Sequence, residues 1–433
     1  MNSKKQNFLL PIVVMIFLFG MISFVTNLAS PMGDILKHQF EIPNWMGTLG
    51  VFANFIAYAI MGYPAGNMLQ KLGYKKTAMV ATAVGFVGVG IQTLSGVVES
   101  FGVYLLGAFI AGFSMCLLNT VVNPMLNKLG GGGNKGNQLI QVGGSFNSLC
   151  GTAVIILTGL LIPEGIRNAH ISNVFPLMYA ALAIFAFAFA VIALTDIPEN
   201  SSVAQNKAEA PSPYGPLSFR HFVLGAVAIF IYVGVEVGVP NVLQKWLQNP
   251  DLNVLGAGVN AEVVAGSVAA TYWLLMLVGR LLGAVVGSKV SAKSMITVVA
   301  GVGLLLTLAA MFGFAPKTMI EMPVFNGAKG FALVSVPINA MLLVLVGLCT
   351  SVMWGGIFNL AVEGLGKYTE KASGIFMALV CGGGILPLLQ NGIIDMTGDY
   401  LISYWVVVAG LVYILYYALL GSRNVNTDIP VEE

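Results

Sequence analysis

Apolar residues run in long blocks along this chain, at about 8–30, 45–65, 77–98, 101–125, 138–162, 175–195, 220–240, 264–287, 294–314, 332–356, 372–393 and 402–420. Each block approaches or exceeds the roughly 20 residues that a helix needs to cross a hydrocarbon core of about 30 Å, some with tilt. Strands of an outer-membrane barrel would instead alternate over short segments. The pattern predicts twelve membrane-spanning helices and an all-α membrane protein. The first block follows Lys4 and Lys5, as a secretory signal would, but it is too long for a signal's apolar region and reads as a retained span.

Composition sharpens this picture. Of 433 residues only 9% are charged and 57% are hydrophobic, against about 25% charged in a soluble domain; such a chain cannot wet its own surface. The net charge is +2 with no basic tract, which excludes nucleic-acid binding. Cys116, Cys150, Cys349 and Cys381 all fall inside apolar blocks and read as small hydrophobes rather than disulfide partners. The one long polar interruption, Asp196 to Pro216, is rich in Pro, Ser, Ala and charges and reads as a flexible linker. It divides the chain into a six-helix half at 1–195, a linker at 196–217 and a second six-helix half at 218–433. Two such halves suggest a parallel internal repeat with a site between them. GNMLQKLGYKK after the second block and GRLLGAVVGSKVSAK after the eighth support the repeat, since each is a Gly-started, basic-ended turn at the same place in its half. With the N-terminus inside, fourteen of the twenty Lys and Arg residues fall in cytoplasmic loops and five outside, with Arg280 at a helix end. Both termini are therefore expected in the cytoplasm.

The stretch Gly66-x4-Lys71-x-Gly73-x-Lys75-Lys76 resembles the loop 2–3 signature of the major facilitator superfamily, with Gln70 where that signature carries an acid. Further stretches are similar to the L-fucose:proton symporter branch and its glucose/galactose relatives: Gly33 to Leu36, Asn119 to Pro124, Ser145 to Ser148, Tyr232 to Glu236, Gly279-Arg280, Ile357 to Gly366 and Gly382 to Gly384. The likeness runs in register over nearly the whole chain. It implies twelve helices in two pseudo-symmetric halves, and sugar transport. Where the fucose symporters carry a helix-four carboxylate implicated in proton transfer, this chain has Asn119. Helix one also carries about four extra residues before Asp34. Aligned from the front of that helix, Asn27 and Ser30 take the family's polar positions; aligned from the back, Asp34 does.

An acid inside a span costs roughly 2.5–3.5 kcal/mol on insertion scales and marks function by default. Glu236, deep in FIYVGVEVGVPNVL, is such an acid. Gly238 and Pro240 should loosen the helix beside it. Low dielectric favours its neutral form, as a reversible proton carrier needs, against the alternative of a structural carboxyl that stays protonated. Asp34, beyond helix one, is the second candidate for proton coupling. Amides offer donors and acceptors together and suit a polyol; Asn27, Asn119, Asn123, Gln141, Asn147, Asn359, Gln390 and Asn391 are the candidates, though amides also join membrane helices. Trp354 aligns with an aromatic of the fucose-symporter site and could stack on a sugar face; Trp273 is a weaker candidate. Gly66, Lys71, Gly73, Lys75, Lys76, Arg280 and Glu363 are assigned to gating.

The histidines show no metal-ligand spacing, and Gly130 to Gly133 lacks the Lys-Ser/Thr of a phosphate-binding loop. Neither a metal, a cofactor nor an enzyme activity is expected. The sequence thus points to a monomeric, multi-pass transporter of the inner membrane that imports a neutral mono- or disaccharide with a proton by alternating access. A sodium-coupled or uncoupled sugar carrier is the first alternative; a non-transporting membrane sugar sensor is the alternative of another class.

Overall fold

A computed structural model describes residues 8–42, 49–162, 169–199, 213–256, 258–315, 318–326 and 330–431. Among these residues eleven helices are long and apolar enough to cross a membrane. One of them, Leu49–Val97, has 49 residues, more than twice what one crossing needs at 1.5 Å per residue. It breaks at Gly73, whose φ of 80° and ψ of 177° are not helical, so it supplies two spans and brings the total to twelve. In chain order these are α1 (Leu9–Gln39), α2 (49–72), α3 (74–97), α4 (Phe101–Leu129), α5 (Gly133–Leu161) and α6 (Phe175–Leu194). The second set is α7 (Arg220–Gln248), α8 (Ala261–Val286), α9 (Ala292–Leu308), α10 (Ile338–Val362), α11 (Gly366–Thr397) and α12 (Ile402–Gly421). The polar stretch lies between Leu194 and Arg220.

Three local features depart from the hydrophobic pattern. Helix α1 continues to Gln39, so Asp34 is inside the helix rather than beyond it; the Asp34 side chain lies outside the described residues. The apolar block at 332–356 does not begin as a helix. Its first residues form β2 (Phe331–Pro337), paired antiparallel with β1 (Met319–Phe325) so that Phe325 faces Phe331. Alternate residues Met322, Val324 and Val336 are buried while Phe331 and Leu333 stay exposed, the period of two that a strand imposes. The Phe325 N–H donates to Thr271 Oγ1 at 2.8 Å, fixing the hairpin to α8. Finally, α10 is interrupted at Ser351 and Val352, between Ile338–Thr350 and Met353–Val362.

The two halves meet along a seam on the face that carries the Lys-rich turns after α2, α4, α8 and α10. There α2 crosses α11 with Gly66 against Gly374, where a Cβ on Gly66 would stand 3.1 Å from the Gly374 Cα. Gln138 Nε2 on α5 donates to the Ala284 carbonyl of α8 at 3.0 Å. Ser373 Oγ on α11 donates to the Thr120 carbonyl of α4 at 3.0 Å. The small residues let backbones approach, and the polar groups join them in the absence of a hydrophobic driving force between helices.

The turn at Gly73 is held from the start of the polar linker. The N–H groups of Tyr74 and Lys75 both donate to the Glu199 carboxylate, at 2.8 Å each. A helix N-terminus favours an anion in this position. Replacing Gly73 by Ala therefore puts a side chain on a backbone conformation that only glycine adopts freely, costing about 1–3 kcal/mol, and drives a Cβ into that carboxylate. Gly131 has a similar φ of 75° with nothing within 4 Å of its Cβ position. Thermal unfolding of the detergent-solubilised variants should show Gly73→Ala losing more stability than Gly131→Ala; equal losses would mean that the Glu199 contact contributes nothing.

Candidate functional site

Above the seam a cavity of about 250 Å³ lies between the halves. Helices α1, α2, α4 and α5 line one side, and α7, α8, α10 and α11 the other. At its centre Arg280 Nη2 stands 3.3 Å from Glu236 Oε1, with the two side chains only 10% and 12% exposed. Helix α7 is continuous through Gly238 and Pro240. Because Pro240 has no N–H, the Glu236 carbonyl is left without its helical partner.

Arg280 corrects the sequence reading most. It sits well inside α8, not at a helix end among gate loops, and it faces the cavity. Its Nη1 donates to the Ser148 hydroxyl at 2.7 Å, the Gly144 carbonyl at 3.2 Å and Asn147 Oδ1 at 3.3 Å, all on α5 of the first half. Its Nε donates to the Ser351 carbonyl at 3.3 Å, at the interruption in α10. A planar guanidinium can satisfy acceptors in several directions at once. A buried cation with fewer partners would be costly.

The amides predicted from sequence separate into two groups. Asn27, Asn119, Gln141 and Asn147 line the cavity together with Trp354. Asn119 Nδ2 donates to the Tyr58 hydroxyl at 2.7 Å, Gln141 Nε2 to the Val352 carbonyl at 2.9 Å and Asn147 Nδ2 to the Phe19 carbonyl at 2.7 Å. Asn27 Nδ2 donates to the Ser23 carbonyl at 2.8 Å. Asn123 lies one turn below, where its Oδ1 accepts from the indole Nε1 of Trp354 at 3.0 Å. Asn119, Asn123 and Asn127 repeat every four residues and so share one face of α4.

The other three amides are elsewhere. Asn359 accepts from Asn127 Nδ2 at 2.6 Å across the seam. Gln390 is buried against Gly238 between α7 and α11, and Asn391 accepts from Lys245 Nζ at 2.9 Å near the opposite face. These two follow Pro387 on α11, beyond the stretch that reaches the cavity at Val380. A lone sequence cannot show which face or depth of a span an amide occupies.

Of the residues assigned to gating, Gly66 lies on the seam and Gly73 on its turn. Lys71 and Lys76 are exposed, and Lys75 engages Glu199 through its backbone. Glu363 is exposed at the end of α10, and its carbonyl bonds His221 Nε2 at 2.9 Å. Among the described residues no ion pair joins these lysines to Glu363. Tyr58 and Phe55 also line the cavity and are not singled out by the sequence, because single aromatic residues in an apolar block look like core; Ser148, at the end of the Ser145 to Ser148 stretch, lines it too. Trp273 lines it as well.

The family model for the Major Facilitator Superfamily matches residues 12–388. The chain belongs to that superfamily. It is a family of transporters rather than enzymes, and its two-half architecture is the one described above. A glucose/galactose transporter of Brucella abortus biovar 1 (strain 9-941) is 27% identical over 433 residues, covering 98% of this chain and 97% of that one. An L-fucose-proton symporter of Escherichia coli (strain K12) is 22% identical over 426 residues, covering 92% and 89%. The crystal structure of the superfamily transporter FucP in the outward conformation superposes with a TM-score of 0.78 at 19% identity, covering 96% of this chain and 100% of that one.

Removing one member of a buried charge pair leaves the other unpaired, at a cost of about 3–5 kcal/mol. Arg280→Gln should therefore lower the unfolding temperature sharply, and adding Glu236→Gln to it should restore part of the loss. A double variant no more stable than Arg280→Gln would show that the pair is not coupled.

Proposed function

We propose that this protein is a secondary transporter that imports a neutral sugar by proton symport with alternating access. The observation that carries this reading is the ion pair of Glu236 and Arg280 set among amides and indoles in a cavity between two six-helix halves. Transport proteins at the level of the relatives' names, glucose/galactose and L-fucose-proton, agree with it. The Lys-rich face is the cytoplasmic side of an inner membrane, both termini are inside, and residues 1–195 and 218–433 are the rocking halves joined by 196–217. The protein works as a monomer.

Asn27, Asn119, Gln141 and Asn147 offer donors and acceptors to sugar hydroxyls, and the indoles of Trp354 and Trp273 offer flat apolar faces. A cavity of about 250 Å³ is below the range of about 300–1,000 Å³ typical of drug-sized ligands, which favours a monosaccharide over a disaccharide. The closed seam, with Asn123 on Trp354 and Asn127 on Asn359, supports entry of the sugar from the opposite side. Gly66, Lys71, Gly73, Lys75, Lys76 and Glu363 serve the opening of this seam rather than the sugar.

Coupling follows from the charges. While Glu236 is ionised it neutralises Arg280, and Arg280 holds α5 of the opposite half. Protonation of Glu236 removes the counter-charge and weakens the case for keeping that guanidinium buried at the interface. Sugar and proton together then permit the halves to separate on the cytoplasmic side. Asp34 is the other candidate for the titrating group. A second reading, an uncoupled carrier, is favoured by Asn119, which cannot titrate where the resemblance expects a carboxylate.

Uptake into proteoliposomes tests both readings. Glu236→Gln should still bind and exchange sugar, because it mimics the loaded carrier, but should not accumulate it against a pH gradient. If the protonated form binds sugar, wild-type affinity falls as pH rises through the titration of Glu236, and the variant's stays flat; the linkage is reciprocal. A variant that still concentrates sugar with an unchanged pH profile would move coupling to Asp34 or to sodium. Asn119→Ala and Gln141→Ala should each weaken sugar binding by about 1–3 kcal/mol through unpaired buried groups, measured on purified protein; unchanged affinity in both would place the site elsewhere.

A further inference from the structure

A second cleft, of about 1010 Å³, lies on the Lys-rich face, away from the central cavity. Three cationic side chains line it, each from a different element: Arg220 at the start of α7, Lys293 in the first turn of α9 and Arg423 just after α12. All three are exposed, and among the described residues none makes an ion pair. Glu363 is the single acid in the lining, so the cleft carries a net charge of about +2 by this count. Asn134 and Ser291 add polar side chains beside the cations.

Two further features say what kind of anion would suit it. The wall formed by α12 is apolar: Tyr416, Leu419 and Leu420 line the cleft and are 37%, 46% and 68% exposed. These side chains stand at the end of a membrane span, where hydrocarbon meets headgroups. A cationic recess with an apolar wall at that depth matches a phospholipid, whose phosphate meets the cations while its chains follow the helix. A free anion would have no use for the apolar wall. The cleft is also shared between the halves, since Gly133 and Asn134 at the start of α5 complete a lining otherwise drawn from the second half.

We infer that this cleft is a binding site for the headgroup of an anionic phospholipid, and that a lipid seated in it braces the closed seam. The occupant contacts both halves only while they are together on this face. By linkage it binds the seam-closed form more tightly than the seam-open form and shifts the population toward the closed one. Lipid composition would thus set how readily the carrier opens inward. The binding itself does not depend on the transport reading; the effect on opening rests on it.

Native mass spectrometry of the full chain, exchanged from nanodiscs of phosphatidylcholine with phosphatidylglycerol, tests occupancy. The wild type should retain one phosphatidylglycerol preferentially, and the Arg220→Gln/Lys293→Gln/Arg423→Gln variant should lose that preference at least tenfold. As a control, Lys128→Gln/Lys289→Gln removes charge from the same face outside the cleft and should retain it. Equal retention by wild type and triple variant overturns the site. Displacement of the lipid by inorganic phosphate or glycerol phosphate at millimolar concentration would also overturn it, in favour of a soluble anion. Spin labels at Lys128→Cys and Lys289→Cys, one on each half, read the seam: phosphatidylglycerol should increase the short-distance population in wild type and leave the triple variant unchanged. Retention of lipid without that shift refutes the brace while leaving the site; retention with the shift but without sugar uptake leaves the site and the brace standing and removes the transport reading together with the effect on inward opening.

Discussion

The architecture depends on one buried cation. Arg280 is held in a low-dielectric interior, where an unpaired charge would be prohibitive, and the molecule surrounds it with acceptors from every direction. Glu236 supplies the opposite charge, while a hydroxyl, an amide oxygen and two backbone carbonyls take the remaining N–H groups. The acceptors come from both six-helix halves, so the need to satisfy one guanidinium also fixes how the halves stand against each other. Any movement that separates α5 from α8 has to find Arg280 new partners. Under the transport cycle proposed above, that requirement is how a proton on Glu236 would influence a motion of whole helices.

The interruption in α10 is part of the same solution. A continuous helix would keep its carbonyls for itself. By breaking at Ser351 and Val352, α10 frees the Ser351 carbonyl at mid-span for Arg280, while the Val352 carbonyl accepts from Gln141 Nε2 as well as from the Gly356 N–H of its own helix. Irregular backbone at membrane depth is tolerated where it is buried in protein or lines a cavity. Immediately below the break Trp354 bonds Asn123, and one turn of α4 further on Asn127 bonds Asn359. The closed face is thus joined at these points by neutral hydrogen bonds and close glycine contacts rather than by ion pairs. Such contacts are short-ranged and little screened by salt, and they can be exchanged for contacts with water without moving a charge through hydrocarbon.

Much of this was legible in the sequence, because the membrane removes most alternatives. A chain with 9% charged residues and twelve apolar blocks has to span a bilayer as helices, since only helices and closed barrels satisfy every backbone group there. The same argument made Glu236 a functional candidate and grouped Asn119 with Asn123 on one face of α4. The sequence could not give depth or orientation. It counted Asn359, Gln390 and Asn391 with the cavity amides, whereas their helices carry them to the seam, to a helix contact and to the opposite face. It read residues 332–337 as the start of a helix because a short apolar run has no period that separates strand from helix. It placed Arg280 at a helix end because a lone cation within a span looks like a loop residue. Only its partners, drawn from three other helices distant in the chain, make a buried arginine possible, and no local pattern records them. Covalent order and hydropathy decided the twelve helices; long-range pairing of the few polar groups inside them decided where the cavity lies and what faces it.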